Sequence, residues 1–136
     1  MNINHESKLI IDKCVKESHN GTLSFGTVVE RLMAVGVESY HADYRRCETT
    51  YYLASDETYI TELTPSKIAI ADSFNVQKIQ QAVRSAQQGE IHYPEFMRQT
   101  MIGGCIGYFV WVSGRHVQYL GRYGETHIEH FPNQDN

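Results

Sequence analysis

Seven tyrosines (Tyr40, Tyr44, Tyr51, Tyr52, Tyr108, Tyr119 and Tyr123) fall in stretches that read as strands or their turns. Arg45, Arg46, Arg115 and Arg122 are interleaved among them. Phenol and guanidinium groups on a shared face can grip an anion, an aromatic base or a peptide by ion pairing, stacking and hydrogen bonding. The same residues also serve plain architecture, because tyrosine packs well on a pleated surface and the arginine stem covers it. A second constellation is His127, Glu129 and His130. Strand alternation places His127 and Glu129 on one face and His130 on the other. Such a His–carboxylate pair can work as a general acid and base, or share a metal if a third group joins it. His116, on the neighbouring strand, is the candidate third group. Cys47 follows Arg45 and Arg46 in a turn, and two nearby cations favour a thiolate.

Other chemistries are missing from the sequence. There is no G-x-G-x-x-G opening a helix after a strand, no G-x-x-x-x-G-K-[ST], no G-x-S-x-G and no H-E-x-x-H. The cysteines stand at 14, 47 and 105, an odd number without a C-x-x-C. That spacing signals neither a disulfide framework nor a zinc site. Cys14 and Cys105 lie in apolar segments and read as core. No cofactor and no metal are expected.

The elements that must position these residues appear when the chain is compared with itself. At an offset of 68, half the length, ten pairs are identical, among them Ile11/Ile79, Gly36/Gly104, Tyr40/Tyr108 and Tyr51/Tyr119. Composition alone gives roughly four. Each half opens with a helix. Ile10, Ile11, Cys14, Val15 and Ser18 share one face, and Asn20-Gly21 stops it. Val76, Ile79, Ala82, Val83 and Ala86 share another, with Ser73 as cap and Gly89 as stop. A second helix follows in each half. Ser24 caps the first of these, with Leu23 and Val28 as a hydrophobic staple; Ile91 and Phe96 form the matching staple, and Pro94 and Glu95 occupy the first turn.

Three strands then follow in each half, predicted at Val37–Arg45, Thr49–Leu53 and Thr58–Leu63, and at Cys105–Val112, Arg115–Gly121 and Thr126–Phe131. Ser113-Gly114 reads as a two-residue hairpin turn, whereas Arg45-Arg46 reads as part of a longer loop that includes Cys47 and Glu48. Ile68-Ala69-Ile70 reads as a short edge strand. The stretch Ile106–Val112 is apolar on both faces, which predicts a mid-sheet strand covered on both sides. The fold class is α+β: one domain over 1–136, with internal repeats at about 1–64 and 69–132, each helix-helix-strand-strand-strand. The helices pack on an antiparallel sheet.

Length and composition agree with one globular domain. The chain has 136 residues, 41% of them apolar and 21% charged. The formal charge of −4 argues against a nucleic-acid platform. The opening MNINHESKLIIDK lacks a basic leader followed by a long apolar run, so no signal peptide is expected. No apolar stretch reaches the length of a membrane span. Unpaired cysteines suit a reducing, cytoplasmic setting.

Several runs resemble a known family. They are Gly36-Val-Glu-Ser-Tyr40-His-Ala-Asp43-Tyr44-Arg45-Arg46, Thr50-Tyr51-Tyr52, Gly104-Cys-Ile-Gly-Tyr108, and the stretch from Ser113-Gly114-Arg115 through Tyr119-Leu-Gly-Arg122 to Glu125-Thr-His127-Ile-Glu129-His-Phe131-Pro132. The family is the YdfO-like group of small bacterial and prophage proteins, sometimes labelled "phage envelope protein". The resemblance implies a compact α+β domain and no established activity. It assigns no functional residues.

The reading of function that results is a small non-enzymatic binding domain for an anionic or aromatic molecule, or a peptide. Its site is expected where the two halves meet over the sheet. Tyr40, Tyr44, Arg45, Tyr51, Arg115, Tyr119 and Arg122 are the candidates, with Glu125 and His127 at the rim. An enzyme built on Glu125, His127 and Glu129 is one alternative. A protein-interaction module or homodimer with a tyrosine-rich interface is another.

Overall fold

In a computed structural model the described residues are 3–132. The elements are α1 (His5–His19), α2 (Phe25–Ala34), β1 (Val37–Asp43), β2 (Glu48–Leu53), β3 (Thr58–Glu62), α3 (Val76–Gln87), α4 (Tyr93–Ile102), β4 (Cys105–Trp111), β5 (His116–Gly121) and β6 (Thr126–His130). The strands form a single sheet in the order β3-β2-β1-β4-β5-β6, and every neighbouring pair is antiparallel. The protein is therefore α+β.

The local signals explain most of these boundaries. Asn4 Oδ1 accepts from the Ser7 amide at 2.8 Å and starts α1. Ser24 Oγ accepts from the Thr27 amide and starts α2. The α3 cap falls on Asn75, whose Oδ1 accepts from the Lys78 amide at 3.1 Å, and not on Ser73 as expected. A cap works only if its own side chain reaches the amide two or three residues on, and Ser73 lies too far upstream. Pro94 fills the first turn of α4.

Second-half bounds repeat first-half bounds. α4, β4, β5 and β6 begin 68 residues after α2, β1, β2 and β3 and have the same lengths. The register repeats too: Tyr40 faces Tyr51 across β1 and β2, and Tyr108 faces Tyr119 across β4 and β5. Left-handed backbone recurs at Gly21 and Gly89, Gly36 and Gly104, Cys47 and Arg115, and Asp56 and Gly124. The β1–β2 and β4–β5 turns thus have equal length, each closed by a left-handed residue. Both run four residues, 44–47 and 112–115, so the two-residue turn expected at Ser113-Gly114 does not form; the first loop takes in Arg45, Arg46 and Cys47 as expected, but Glu48 already belongs to β2.

Helices cover one face of the sheet. Tyr40, Ala42 and Tyr44, Tyr51 and Leu53, Tyr108, Val110 and Val112, and Val117 and Tyr119 are buried against Ile11, Leu32, Ile79 and Met97. Each fully buried aliphatic side chain contributes about 1.5–3 kcal/mol. The alternate residues look outward, so β4 is central but not covered on both sides: Phe109 and Trp111 stay half-buried on the helix-free face. The Ile68–Ile70 segment forms no strand. It runs along the domain instead, with the Ile70 carbonyl accepting from Arg122 and the Ala71 amide donating to the Met101 carbonyl. No helix among the described residues is long and apolar enough to cross a membrane.

Gly36 and Gly104 both sit at φ +89° after a helix, but their surroundings differ. A Cβ at Gly36 meets nothing within 4 Å, whereas one at Gly104 comes within 2.3 Å of the Ser73 carbonyl oxygen. Gly36→Ala is expected to cost about 1–2 kcal/mol, the left-handed penalty alone. Gly104→Ala is expected to cost distinctly more, because backbone must also move. Urea unfolding of the two variants measures the difference, and equal losses would contradict the tight α4–linker contact.

Candidate functional site

The end of α1 meets the start of α4 over β1 and β2, so residues from both halves of the chain share one seam. There the His19 and Tyr93 rings stack 4.8 Å apart and nearly parallel. The Tyr93 hydroxyl is 2.8 Å from the Tyr108 hydroxyl, which fixes the ring from beneath. This stack separates two cavities. The inner one, about 50 Å³, lies between helices and sheet and is lined by Cys14, Ser18, Tyr40, Thr49, Tyr51 and Thr61, among others. It has room for about one or two waters. The outer one, about 340 Å³, opens at the surface and is lined by Thr64, Pro65, Ser66, Pro94, Glu95, Met97 and Arg98 together with His19 and Tyr93. That volume is at the small end of ligand pockets.

Electrostatics differ along the seam. Burial lowers the His19 pKa, so its ring is neutral at pH 7. Burial pushes Tyr93 up to about 12 and raises Tyr51 and Tyr40 further still, so all three keep their protons. Thr61 Oγ1 is buried and has no hydrogen-bond partner among the described residues. The mouth carries one guanidinium, Arg98, whose Nη1 is 3.1 Å from Glu95 Oε2.

Of the residues singled out from the sequence, Tyr40 and Tyr51 line the inner cavity. Tyr44 and Tyr119 lie deeper in the core; the Tyr44 hydroxyl is 2.8 Å from Thr100 Oγ1. The arginines go elsewhere. Arg45 is exposed in the β1–β2 turn, Arg115 lies over the Phe131 ring at 5.5 Å, and Arg122 donates to the Ile70 carbonyl. Glu125 Oε1 accepts from the Tyr123 amide and orders the last turn. The structure thus gathers the tyrosines under the helices and disperses the arginines to the turns. Sequence reading missed His19, Tyr93, Thr61 and Arg98. One available signal was Pro65 and Pro94, two of only three prolines, which stiffen opposite walls of the outer cavity.

His127 and Glu129 do share a face, the helical one. His127 Nε2 donates to Glu129 Oε2 at 2.6 Å, and Arg84 of α3 donates to Glu129 Oε1 at 3.0 Å. His116 cannot complete this group, because it pairs with His130 on the opposite face of the sheet. No group of three or more His, Cys, Asp or Glu residues able to hold a metal occurs among the described residues. Neither cavity at the seam is lined by His127 or Glu129. Cys47 Sγ is 3.4 Å from the Tyr44 carbonyl, inside its own turn.

Fold and seam together define a small α+β domain, with one helical layer on an antiparallel sheet and a surface cavity between its halves. The chain belongs to the family described as "Protein of unknown function (DUF1398)", which matches residues 6–129. No curated protein matches it.

Burial by itself would raise the Glu129 carboxyl, but the hydrogen bonds from His127 and Arg84 outweigh burial and hold it below its usual 4.5. A depressed carboxylate stabilises the fold above the unfolded-state pKa, and this contribution is lost as pH falls through the folded value. Glu129→Gln is therefore expected to be less stable than the parent at pH 7, with the gap closing at pH below 4.5. Thermal melts at several pH values measure it, and a gap independent of pH would remove the ionic role.

Proposed function

We propose that this protein is a non-enzymatic binding domain whose site is the outer cavity at the α1–α4 seam, and that it takes a small aromatic carboxylate or similar anion. The observation that carries this reading is the His19–Tyr93 stack standing between a ligand-sized cavity and a smaller one lined by protonated tyrosines. A flat ring can lie against Tyr93, Pro65 and Met97. Its anionic group meets the Thr64 and Ser66 side chains and Arg98, where it takes the place of Glu95 as the guanidinium's partner. Tyr40 and Tyr51 form the floor behind the stack. Tyr44, Arg45, Tyr119, Arg115, Arg122, Glu125 and His127 act in this reading as core and turn residues that hold the floor in place.

The same proposal covers origin and setting. The runs around Gly36–Arg46 and Ser113–Pro132 support a YdfO-like, prophage-related origin. Two buried free thiols, Cys14 and Cys105, support a reducing cytoplasmic compartment. The matching bounds, registers and left-handed positions 68 residues apart support descent from one repeated unit.

The test is an NMR titration with benzoate and 4-hydroxybenzoate as probes. The expected result is saturable shifts at His19, Tyr93 and Arg98, together with a rise in the His19 pKa on binding, since a nearby anion favours the imidazolium. Arg98→Ala is expected to weaken binding about tenfold, the loss of one charge-assisted hydrogen bond. Absence of shifts at these residues with both probes at about 10 mM, beyond the millimolar range of weak ligands, overturns the reading.

A further inference from the structure

The helix-free face of the sheet carries a second, independent feature. Its central row, Ile60–Thr50–His41–Phe109–Gln118–Ile128, crosses all six strands. His41 stacks on Phe109 at 4.3 Å, Phe109 on Trp111 at 5.1 Å, and the rings continue through His116 to His130. Ile60 is 54% exposed, Ile128 47% and Tyr52 39%. Apolar and aromatic side chains thus stand at the centre and both edges of this face, with Thr50 and Gln118 between them.

Polar side chains on this face are divided diagonally. One corner holds Asp43, Glu48 and Glu62, aligned across β1, β2 and β3, with Arg45 and Arg46 in the turn beside them and Arg46 paired to Glu48. The opposite corner holds His116 and His130, aligned across β5 and β6, with the Arg115 turn beside them. Glu48 and Glu62 stand 68 residues before His116 and His130. The face thus carries an acidic patch and an imidazole patch at corresponding places on either side of its centre, the His41–Phe109 pair.

We infer that this face binds a second copy of the chain, face to face, with Glu48 and Glu62 of each copy against His116 and His130 of the other. A two-fold axis lying in the interface, along the diagonal from Tyr52 to Leu120, brings both acid–imidazole contacts together and sets the aromatic centre on itself. Self-complementarity of this kind is what an isologous dimer requires. An imidazole can donate an N–H to a carboxylate in either charge state. From strand and residue spacings the strands of the two copies cross at roughly 70°, near the orthogonal class of sheet packing. Six strands span about 29 Å and their length about 20 Å, and crossed at that angle the two faces overlap over roughly 430 Å² a side, so the pair buries about 850 Å², the size of a weak interface. The Glu48–Arg46 ion pair at 3.0 Å does not block the contact, because Arg46 is mostly exposed and such pairs are weak.

Trp111 is the only tryptophan, and it lies on this face. The test is sedimentation equilibrium of the full chain from about 1 to 500 µM, spanning the range of weak interfaces, with tryptophan fluorescence read alongside. The expected result is a micromolar dimer whose Trp111 emission moves to the blue and is less quenched by acrylamide as concentration rises. Ile60→Lys/Ile128→Lys, at two exposed positions that leave the core intact, should weaken the dimer at least tenfold. Glu48→Lys/Glu62→Lys should weaken it similarly, and adding His116→Glu/His130→Glu in the same chain should restore it. A monomer throughout, a dimer with unchanged Trp111 emission, or a charge swap without rescue overturns the inference. None of these results bears on the seam, whose probes report at His19 and Arg98.

Discussion

The constraint on which this structure depends is that a six-stranded antiparallel sheet has helices for only one of its faces. Side chains alternate along a strand, so each strand sends every second residue under the helices and the remainder to the other side. The paired registers Tyr40–Tyr51 and Tyr108–Tyr119 place four phenols in one buried belt. A one-residue slip in either hairpin would exchange this belt for Thr50 and Tyr52, or Gln118 and Leu120. The helices dock only because the register is held, and the aromatic row on the open face is the complement of the same alternation.

A core built from tyrosine has a requirement that one built from leucine lacks. Each buried hydroxyl must find a partner or leave its desolvation uncompensated. Tyr44 meets this with Thr100, which also donates back to its own helix at Phe96 or Met97, and Tyr108 meets it with Tyr93. Tyr40 and Tyr51 instead border the inner cavity beside Thr61. Polar groups facing a cavity of water size are commonly served by ordered water. The seam is therefore where satisfaction of the tyrosine belt passes from protein groups to solvent.

The alternation of Tyr40, Ala42 and Tyr44 against His41 and Asp43 was readable in the sequence, as were the helix starts at Ser24 and Pro94 and the stops at Gly36 and Gly104. Each is a local signal whose physics acts within one turn or one strand. What could not be read depended on distance in the chain. His116 and His127 are on adjacent strands, yet pairing with His130 and Tyr119 puts them on opposite faces. Ile68–Ile70 has strand composition, but its backbone is claimed by Arg122 and Met101. The arginines looked like partners of the tyrosines because they are neighbours in sequence. Turn positions carried them to the ends of the sheet.

Positions 68 residues apart are filled differently beneath the two long helices. Beneath α3, Glu129 is long enough to reach Arg84 and His127, and the three side chains fill the space between β6 and the helix. Beneath α1, the corresponding residues are Thr61, Lys16 and Tyr59. Tyr59 reaches outward to Asp12 at 2.8 Å, and Thr61 is too short to span the gap. An ionic strut therefore closes one half, while a short β-branched residue leaves a void in the other. The halves share a backbone plan, and the difference in side-chain length at one strand position leaves room for the inner cavity beneath α1.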